Sequence, residues 1–274
     1  MSEQANTPQP AGAKGTAVVT GASAGFGKIY ADRLARRGYD LILVARRGDR
    51  LTALATALQA QYRVKVDTIV ADLGAAADVA RVAAAIAGDA RITMLVNNAG
   101  TSTFGQVTQA SKKQMDAMID VNATALAHLS HAILPVFKER NRGAIINIAS
   151  VLGFHTLPHS SIYSGTKGFV LNFTRGLQEE VAGTGVKVQL VLPAAAATEI
   201  WDIAGVPLSQ LDPATVMAAE SVIDAALAGF DQGEAITLPS VEDLQLWADY
   251  EAARMKLMAA SQSGKPASRY LSAK

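Results

Sequence analysis

Ser150, Tyr163 and Lys167 are the residues of this chain whose types and spacing could do chemistry. A tyrosine and a lysine four positions apart on a helix lie on one face, one turn from each other. A free phenol ionises at about pH 10, too high for a good general base near neutrality. An ammonium beside it favours the phenolate and draws that value down. The pair can then exchange a proton with an alcohol or carbonyl oxygen. Ser150, thirteen positions before Tyr163, follows the strand-like run 143–149, and its hydroxyl could hold a substrate oxygen. A Tyr-x-x-x-Lys pair alone often means only an aromatic ring packed beside a solvated lysine, so its meaning depends on what accompanies it.

A second constellation lies near the other end of the chain. The short β-branched run Thr16-Ala17-Val18-Val19-Thr20 flows into Gly21-Ala22-Ser23-Ala24-Gly25-Phe26-Gly27. A periodic segment follows, with Ile29, Leu34 and Ala35 apolar, Arg33, Arg36 and Arg37 polar, and Gly38 at its close. Strand, glycine turn and helix form the context in which glycines allow a tight turn and close approach of the backbone to a pyrophosphate. The phosphates then sit at the helix N-terminus.

The elements that must position these residues alternate regularly. Strand-like runs occur at 16–20, 40–45, 64–70, 93–97, 143–149, 186–192 and 235–238, and the clearest helical patterns at 25–37, 49–61, 75–87, 111–140 and 161–182. This alternation predicts a single α/β domain with a doubly wound, parallel, seven-stranded sheet flanked by helices. Gly21, Asn97, Ser150 and Pro193 all follow strands and should converge on one rim, where ligands of such sheets gather. Residues 1–14 read as a polar tail, 15–240 as the catalytic domain, and 241–274 as a helix and tail packed on the same domain. In that last segment Leu244, Trp247 and Met255 are spaced to make one face, read as completing the core.

Composition removes several function classes. The 274 residues carry a formal net charge of +1 with only 18% charged residues, which gives no electrostatic footprint for nucleic acid. Cysteine is absent, so there is no disulfide framework or thiolate chemistry. The four histidines are scattered without metal-ligand spacing. Residues 1–15 lack the apolar core of a signal peptide, and no apolar run is long enough to span a membrane. A cytoplasmic protein acting on a small molecule, with neither nucleic acid nor membrane as partner, is the expectation.

The spacing Thr20-Gly21-x-x-x-Gly25-x-Gly27, together with Ala71-Asp72-Leu73, Leu95-Val96-Asn97-Asn98-Ala99-Gly100, Asn122 and the Ser150–Tyr163–Lys167 set, resembles the classical short-chain dehydrogenase/reductase family over roughly residues 15–240. The resemblance implies a Rossmann fold and hydride exchange between nicotinamide C4 and a carbonyl or alcohol carbon. It implies that Tyr163 is the general acid/base, that Lys167 lowers its pKa and bonds the nicotinamide ribose, that Ser150 orients the substrate oxygen, and that Asn122 holds a water linked to Lys167. Cofactor contacts would come from Gly21, Ser23, Gly25, Phe26 and Gly27, from Asp72 at the adenine, and from Asn98, Ala99 and Gly100. Tyr163, Lys167, Pro193 and Thr198 complete that set. The family's dimer, or a tetramer, would form through the helices near 111–140 and 161–182.

Two positions depart from the family pattern or refine it. At the end of the second strand, Ala45 occupies the usual acidic position and Arg46 follows, so NADP(H) is expected over NAD(H): a guanidinium forks onto phosphate, where an acid would repel it. After the sixth strand the family's Pro-Gly is Pro193-Ala194, which leaves either ordinary dihedrals or a different loop path, since alanine tolerates positive φ poorly. Thr198 keeps the spacing of the carboxamide contact. His155, Ile200 and Trp201 are the candidate pocket residues, and a mainly apolar site is expected. The leading expectation is an NADP(H)-dependent carbonyl/alcohol oxidoreductase. The alternatives are a catalytically silent NADP(H) sensor and a dehydratase or epimerase on the same fold.

Overall fold

The computed structural model describes residues 12 and 14–271, so most of the tail at 1–14 lies outside the described residues. The strands are β1 (Thr16–Thr20), β2 (Asp40–Ala45), β3 (Val66–Val70), β4 (Ile92–Asn97), β5 (Gly143–Ile148), β6 (Val186–Val191), β7 (Ala196–Ala197), β8 (Met217–Ala218) and β9 (Ile236–Thr237). The helices are α1 (Gly25–Arg36), α2 (Gly48–Tyr62), α3 (Ala76–Ala87), α4 (Lys112–Ile119), α5 (Leu126–Glu139), α6 (Ser161–Glu180), α7 (Ile200–Ala204), α8 (Ala219–Gln232) and α9 (Gln245–Ser261). Seven strands form one parallel sheet in the order β3-β2-β1-β4-β5-β6-β9. The order reverses between β1 and β4, which opens a crevice at their carboxyl ends.

Every residue of β1 is buried, because both faces of the sheet are covered. Alternate side chains serve opposite layers. Ala17 and Val19 join Tyr30, Leu34, Leu51, Val222 and Ile223 in one core, while Val18 joins Val82, Ile86, Leu129 and Ile133 in the other. Helix α8 was not among the clearest helical stretches of the sequence. It completes the first layer beside α1, where Arg33 pairs with Asp224 at 2.7 Å and Arg37 with Asp231 at 3.0 Å.

The expected helix over 111–140 is present but not uniform. Between α4 and α5, Asp120–Ala125 winds as a wider π-helical turn, an inserted bulge of the kind often found at functional positions. The loop after β6 resolves the question posed by Ala194. No positive φ occurs there, so the segment has ordinary dihedrals, and Ala196–Ala197 pairs in parallel with Met217–Ala218. From Ser240 onward the chain forms a second compact unit containing α9, none of whose residues is buried. In that unit Leu244 and Met255 are exposed and Trp247 is partly buried.

A buried polar chain ties the sheet centre to its covering helices. Asn97 Nδ2 donates to Asn147 Oδ1 at 2.9 Å and to Ser130 Oγ at 3.0 Å, and Asn147 Nδ2 donates to Thr174 Oγ1 at 2.9 Å. These groups are fully or almost fully shielded from water, so each must find its partner inside the protein. Thr174→Val keeps the shape but removes the acceptor for Asn147. It should lower unfolding stability by about 1–3 kcal/mol in a urea titration. An unchanged midpoint would mean that the amide finds another partner.

Candidate active site

Helix α6 carries Tyr163 and Lys167 on one face at the mouth of the crevice. Lys167 is only 5% exposed, and its Nζ donates to the Ile148 carbonyl at the end of β5 over 2.9 Å. The same ammonium lies 5.7 Å from the Tyr163 ring centroid. Gly100 borders this arrangement: a Cβ there would stand in ordinary contact, 3.4 Å from Asn122 Oδ1 and 3.8 Å from Lys167 Nζ. Asn122 projects from the π turn and ties the loop after β4 to helix α6. Its Oδ1 accepts from Thr101 N at 2.8 Å, and its Nδ2 donates to Thr101 O at 2.9 Å and to Thr166 Oγ1 at 3.1 Å.

Ser150 closes the set from the end of β5. Its Oγ accepts from Leu152 N at 3.1 Å and lies 3.4 Å from the Pro193 carbonyl. Burial pushes the Tyr163 phenol up to about 12, against the hydrogen bond with Ser150 that pulls it down. Burial brings the Lys167 ammonium down to about 8. The phenol therefore moves in the direction opposite to the one its lysine neighbour suggested. Removing water from around the phenolate outweighs the help it receives here.

The cofactor side is built from three loops. Gly21 and Gly25 hold φ of 67° and 49°, and a Cβ on Gly27 would fall on the Gly21 carbonyl. Ala24, the first residue of the turn into α1, offers no side-chain cap, and the first turn of α1 has no acidic residue. Its amide groups are thus left for an anion at a helix N-terminus, which fits a dinucleotide pyrophosphate. Phe26 is partly buried and packs against the core beneath the turn. Asn98 and Ala99 hold the turn in place: their amides donate to Thr20 Oγ1 at 3.0 Å each, and Asn98 Nδ2 donates to the Thr20 carbonyl at 2.8 Å. Thr198 reaches over from the loop after β6, its Cβ 3.5 Å from where a Cβ on Gly25 would be. Asp72 is exposed at the end of β3 and accepts from Gly74 N at 3.0 Å.

Beyond β2, Arg46 is exposed and makes no hydrogen bond or ion pair among the described residues. Its neighbour Arg47, which sequence reasoning did not single out, spans two loops. It donates to Ser23 Oγ from Nε at 3.2 Å and from Nη2 at 3.1 Å, and from Nη1 to Glu199 at 3.2 Å. Arg50 donates to both oxygens of the same carboxylate, at 3.2 and 3.1 Å.

On the substrate side, a cavity of about 150 Å³ is lined by residues including Thr103, Phe104, Gln114, His159 and Ile162. Phe104 links it to the candidate set, with the Tyr163 ring at 5.7 Å and the Trp201 ring stacked at 5.8 Å. Trp201 is fixed by its indole N–H, which donates to the Ala196 carbonyl at 2.7 Å. Ile200 and Trp201 open α7 and are partly buried. His155 is exposed and does not line this cavity; His159 does. The turn after Ser150 carries His155 outward, whereas the His159 carbonyl accepts from Gly105 N at 2.8 Å and draws that residue to the cavity. An aromatic residue shortly after Asn97-Asn98-Ala99-Gly100 was the sequence signal for Phe104.

The family model described as short chain dehydrogenase matches residues 15–204. The chain is 36% identical over 191 residues to the very-long-chain 3-oxoacyl-CoA reductase-B of Danio rerio, covering 68% of this chain and 61% of that one. It therefore spans less than two thirds of that relative. It is 40% identical over 185 residues to sulfoacetaldehyde reductase 2 of Chromohalobacter salexigens, covering 66% of this chain and 73% of that one. Among solved structures, a short-chain dehydrogenase from Sphingobium yanoikuyae in complex with NADPH has a TM-score of 0.90 at 42% identity, covering 93% of this chain and all of the other. The bulky-bulky ketone specific alcohol dehydrogenase from Comamonas testosteroni has a TM-score of 0.87 at 37% identity, covering 94% and 98%.

The buried ammonium has a measurable consequence. Lys167 titrates near 10.5 when unfolded and near 8 in the fold, so between these values the folded state binds fewer protons and stability rises with pH. Below about pH 8 the ammonium is charged in both states, and its full burial cost is present. Lys167→Met should therefore raise stability at neutral pH by about 1–3 kcal/mol. That advantage should shrink as pH rises from 8 toward 10.5. Thermal unfolding across that range checks it; an advantage independent of pH would show that the ammonium is not what the substitution relieves.

Proposed function

The chain belongs to the short-chain dehydrogenase family, and from that footing we propose that it is an NADP(H)-dependent oxidoreductase interconverting a bulky ketone and its alcohol. The observation that carries this reading is the convergence of Tyr163, Lys167, Ser150 and Asn122 beside an uncapped helix N-terminus behind a glycine turn. A bound nicotinamide cofactor supplies or takes the hydride. The Ser150 hydroxyl holds the substrate oxygen, and Tyr163 gives that oxygen a proton in reduction and takes it back in oxidation. Near neutral pH the phenol is protonated and Lys167 is charged. This state is ready to donate, and the buried ammonium offsets the phenolate that donation leaves behind. Reduction should accordingly dominate near neutrality, with oxidation gaining as pH rises.

Arg46 beside Ala45 supports NADP(H), as does the NADPH bound to the Sphingobium yanoikuyae relative. The Phe104–Trp201 stack beside Tyr163 supports a substrate with a large apolar group, in keeping with the ketone specificity of the Comamonas testosteroni relative. Self-association through α4, α5 and α6 belongs to the same reading; Phe169 is exposed on α6 and stacks on Phe173.

The test is oxidation of NADPH, with NADH in parallel, against a panel of aldehydes and ketones of increasing bulk. Turnover should favour NADPH and ketones with a bulky apolar substituent. Tyr163→Phe should lower kcat by roughly 10²–10⁴-fold while NADPH still binds, because only the proton donor is deleted. Full activity in that variant would remove Tyr163 from the mechanism. Arg46→Asp should shift the preference toward NADH; an unchanged ratio would transfer the phosphate contact to its neighbours. Tight NADPH binding with no turnover on any carbonyl would favour a nucleotide sensor.

A further inference from the structure

The acidic residue that meets the arginines beyond β2 does not come from β2. It comes from the far side of the crevice: Glu199 precedes α7, directly after Thr198, and its carboxylate takes both Arg47 and Arg50 while Arg47 also holds Ser23 of the glycine turn. Three loops at the strands' carboxyl ends are thereby tied through one carboxylate. Arg46, free of hydrogen bonds and ion pairs among the described residues, stands beside them. A doubly bonded carboxylate presents two anionic oxygens to a pair of guanidinium groups, much as a phosphate monoester does. Partial burial works against ionisation of Glu199, yet hydrogen bonds from Arg47 and Arg50 keep its carboxyl below the usual range, so it is an anion at neutral pH.

We propose that Glu199 is an internal competitor for the cofactor's 2′-phosphate, occupying Arg47 and Arg50 until a 2′-phosphorylated nucleotide displaces it, and so is a cofactor-specificity residue of this chain. This depends on the NADP(H) reading above. The pairs are exposed, with side chains 42–50% accessible, so breaking them costs little and exchange with a ligand is feasible. Displacement also unties from the arginines the residue that leads into Trp201, whose indole is held by the Ala196 carbonyl and stacks on Phe104 beside Tyr163. A nucleotide lacking the 2′-phosphate has no group to trade for Glu199 and leaves that tie in place.

Calorimetric titration with adenosine 2′,5′-bisphosphate and with adenosine 5′-monophosphate tests this without turnover. The parent protein should prefer the bisphosphate. Glu199→Gln should tighten the bisphosphate by roughly three- to tenfold, the scale of one or two exposed ion pairs, and leave the monophosphate unchanged. An equal gain for both ligands would reduce the effect to general charge, and no gain, or a loss, would make Glu199 a mere support for the arginines; each overturns the proposal. A parent that binds both ligands equally would overturn the NADP(H) reading itself and the competition with it. Trp201 fluorescence in a Trp247→Phe background gives the second readout. It should respond to the bisphosphate and not to the monophosphate, and an identical response to both would refute displacement of the loop.

Discussion

The site depends on burying one ammonium. Lys167 is shielded almost completely from water, yet with its titration brought down only to about 8 it stays charged near neutral pH. A lone buried cation is expensive, and here one backbone carbonyl, Ile148 O, receives it directly. That carbonyl is the last of β5, so the register of the strand and the phase of α6 are fixed against each other. Gly153 serves the same packing: it lets the turn after Ser150 approach the Lys167 backbone, where a Cβ would stand 2.8 Å from its carbonyl oxygen. The wider turn at Asp120–Ala125 brings Asn122 onto Thr166, one residue before the lysine.

Around that point the fold distributes its tasks by strand end. The end of β1 supplies the glycine turn, β2 the arginines, β4 the Asn98–Ala99 clamp, β5 the serine and the carbonyl for lysine, and β6 the loop bearing Thr198 and Glu199. This convergence follows from parallel strands, whose carboxyl ends share one rim. The two apolar layers that cover β1 back these ends, while the loops themselves are spanned by exposed ion pairs and the Phe104–Trp201 stack. Buried scaffold and exposed rim are therefore separate sets of residues.

Much of this was legible in the sequence because it is written in local patterns. The β-branched run before Gly21 gives β1, the alternation of strand and helix gives the parallel sheet, and the four-residue spacing of Tyr163 and Lys167 places both on one face of α6. Features that depend on distant partners were not legible. The π turn needs one extra residue in a helix whose periodicity otherwise reads as continuous. Glu199 finds Arg47 and Arg50 across 152 and 149 positions of sequence, and no local signal announces it. The direction of the Tyr163 pKa was misjudged for a related reason: the motif shows the helpful neighbour, whereas the water removed from around the ring is a property of the whole fold. His155 and His159 are equally suggestive as letters, and only the turn between Ser150 and α6 decides which of them reaches the cavity.

Two electrostatic problems are thus solved in two different media. At Lys167 the charge is buried, where interactions are strong, weakly screened by salt, and costly to rearrange. At Arg46, Arg47, Arg50 and Glu199 the charges are exposed, where each pair contributes about 1 kcal/mol or less and salt weakens it further. The geometry around Lys167 therefore resists change, since any substitution near it must re-solve the burial of a cation. The exposed charges at the rim are soft by comparison, since a carboxylate or guanidinium there can be altered with small effect on the core. The same difference in strength makes the exposed pairs at the rim the ones that the proposed phosphate exchange would break, whereas the bond from the buried lysine to the Ile148 carbonyl lies out of water. On the proposed reading, specificity and chemistry are separable in this chain because water reaches one set of charges and not the other.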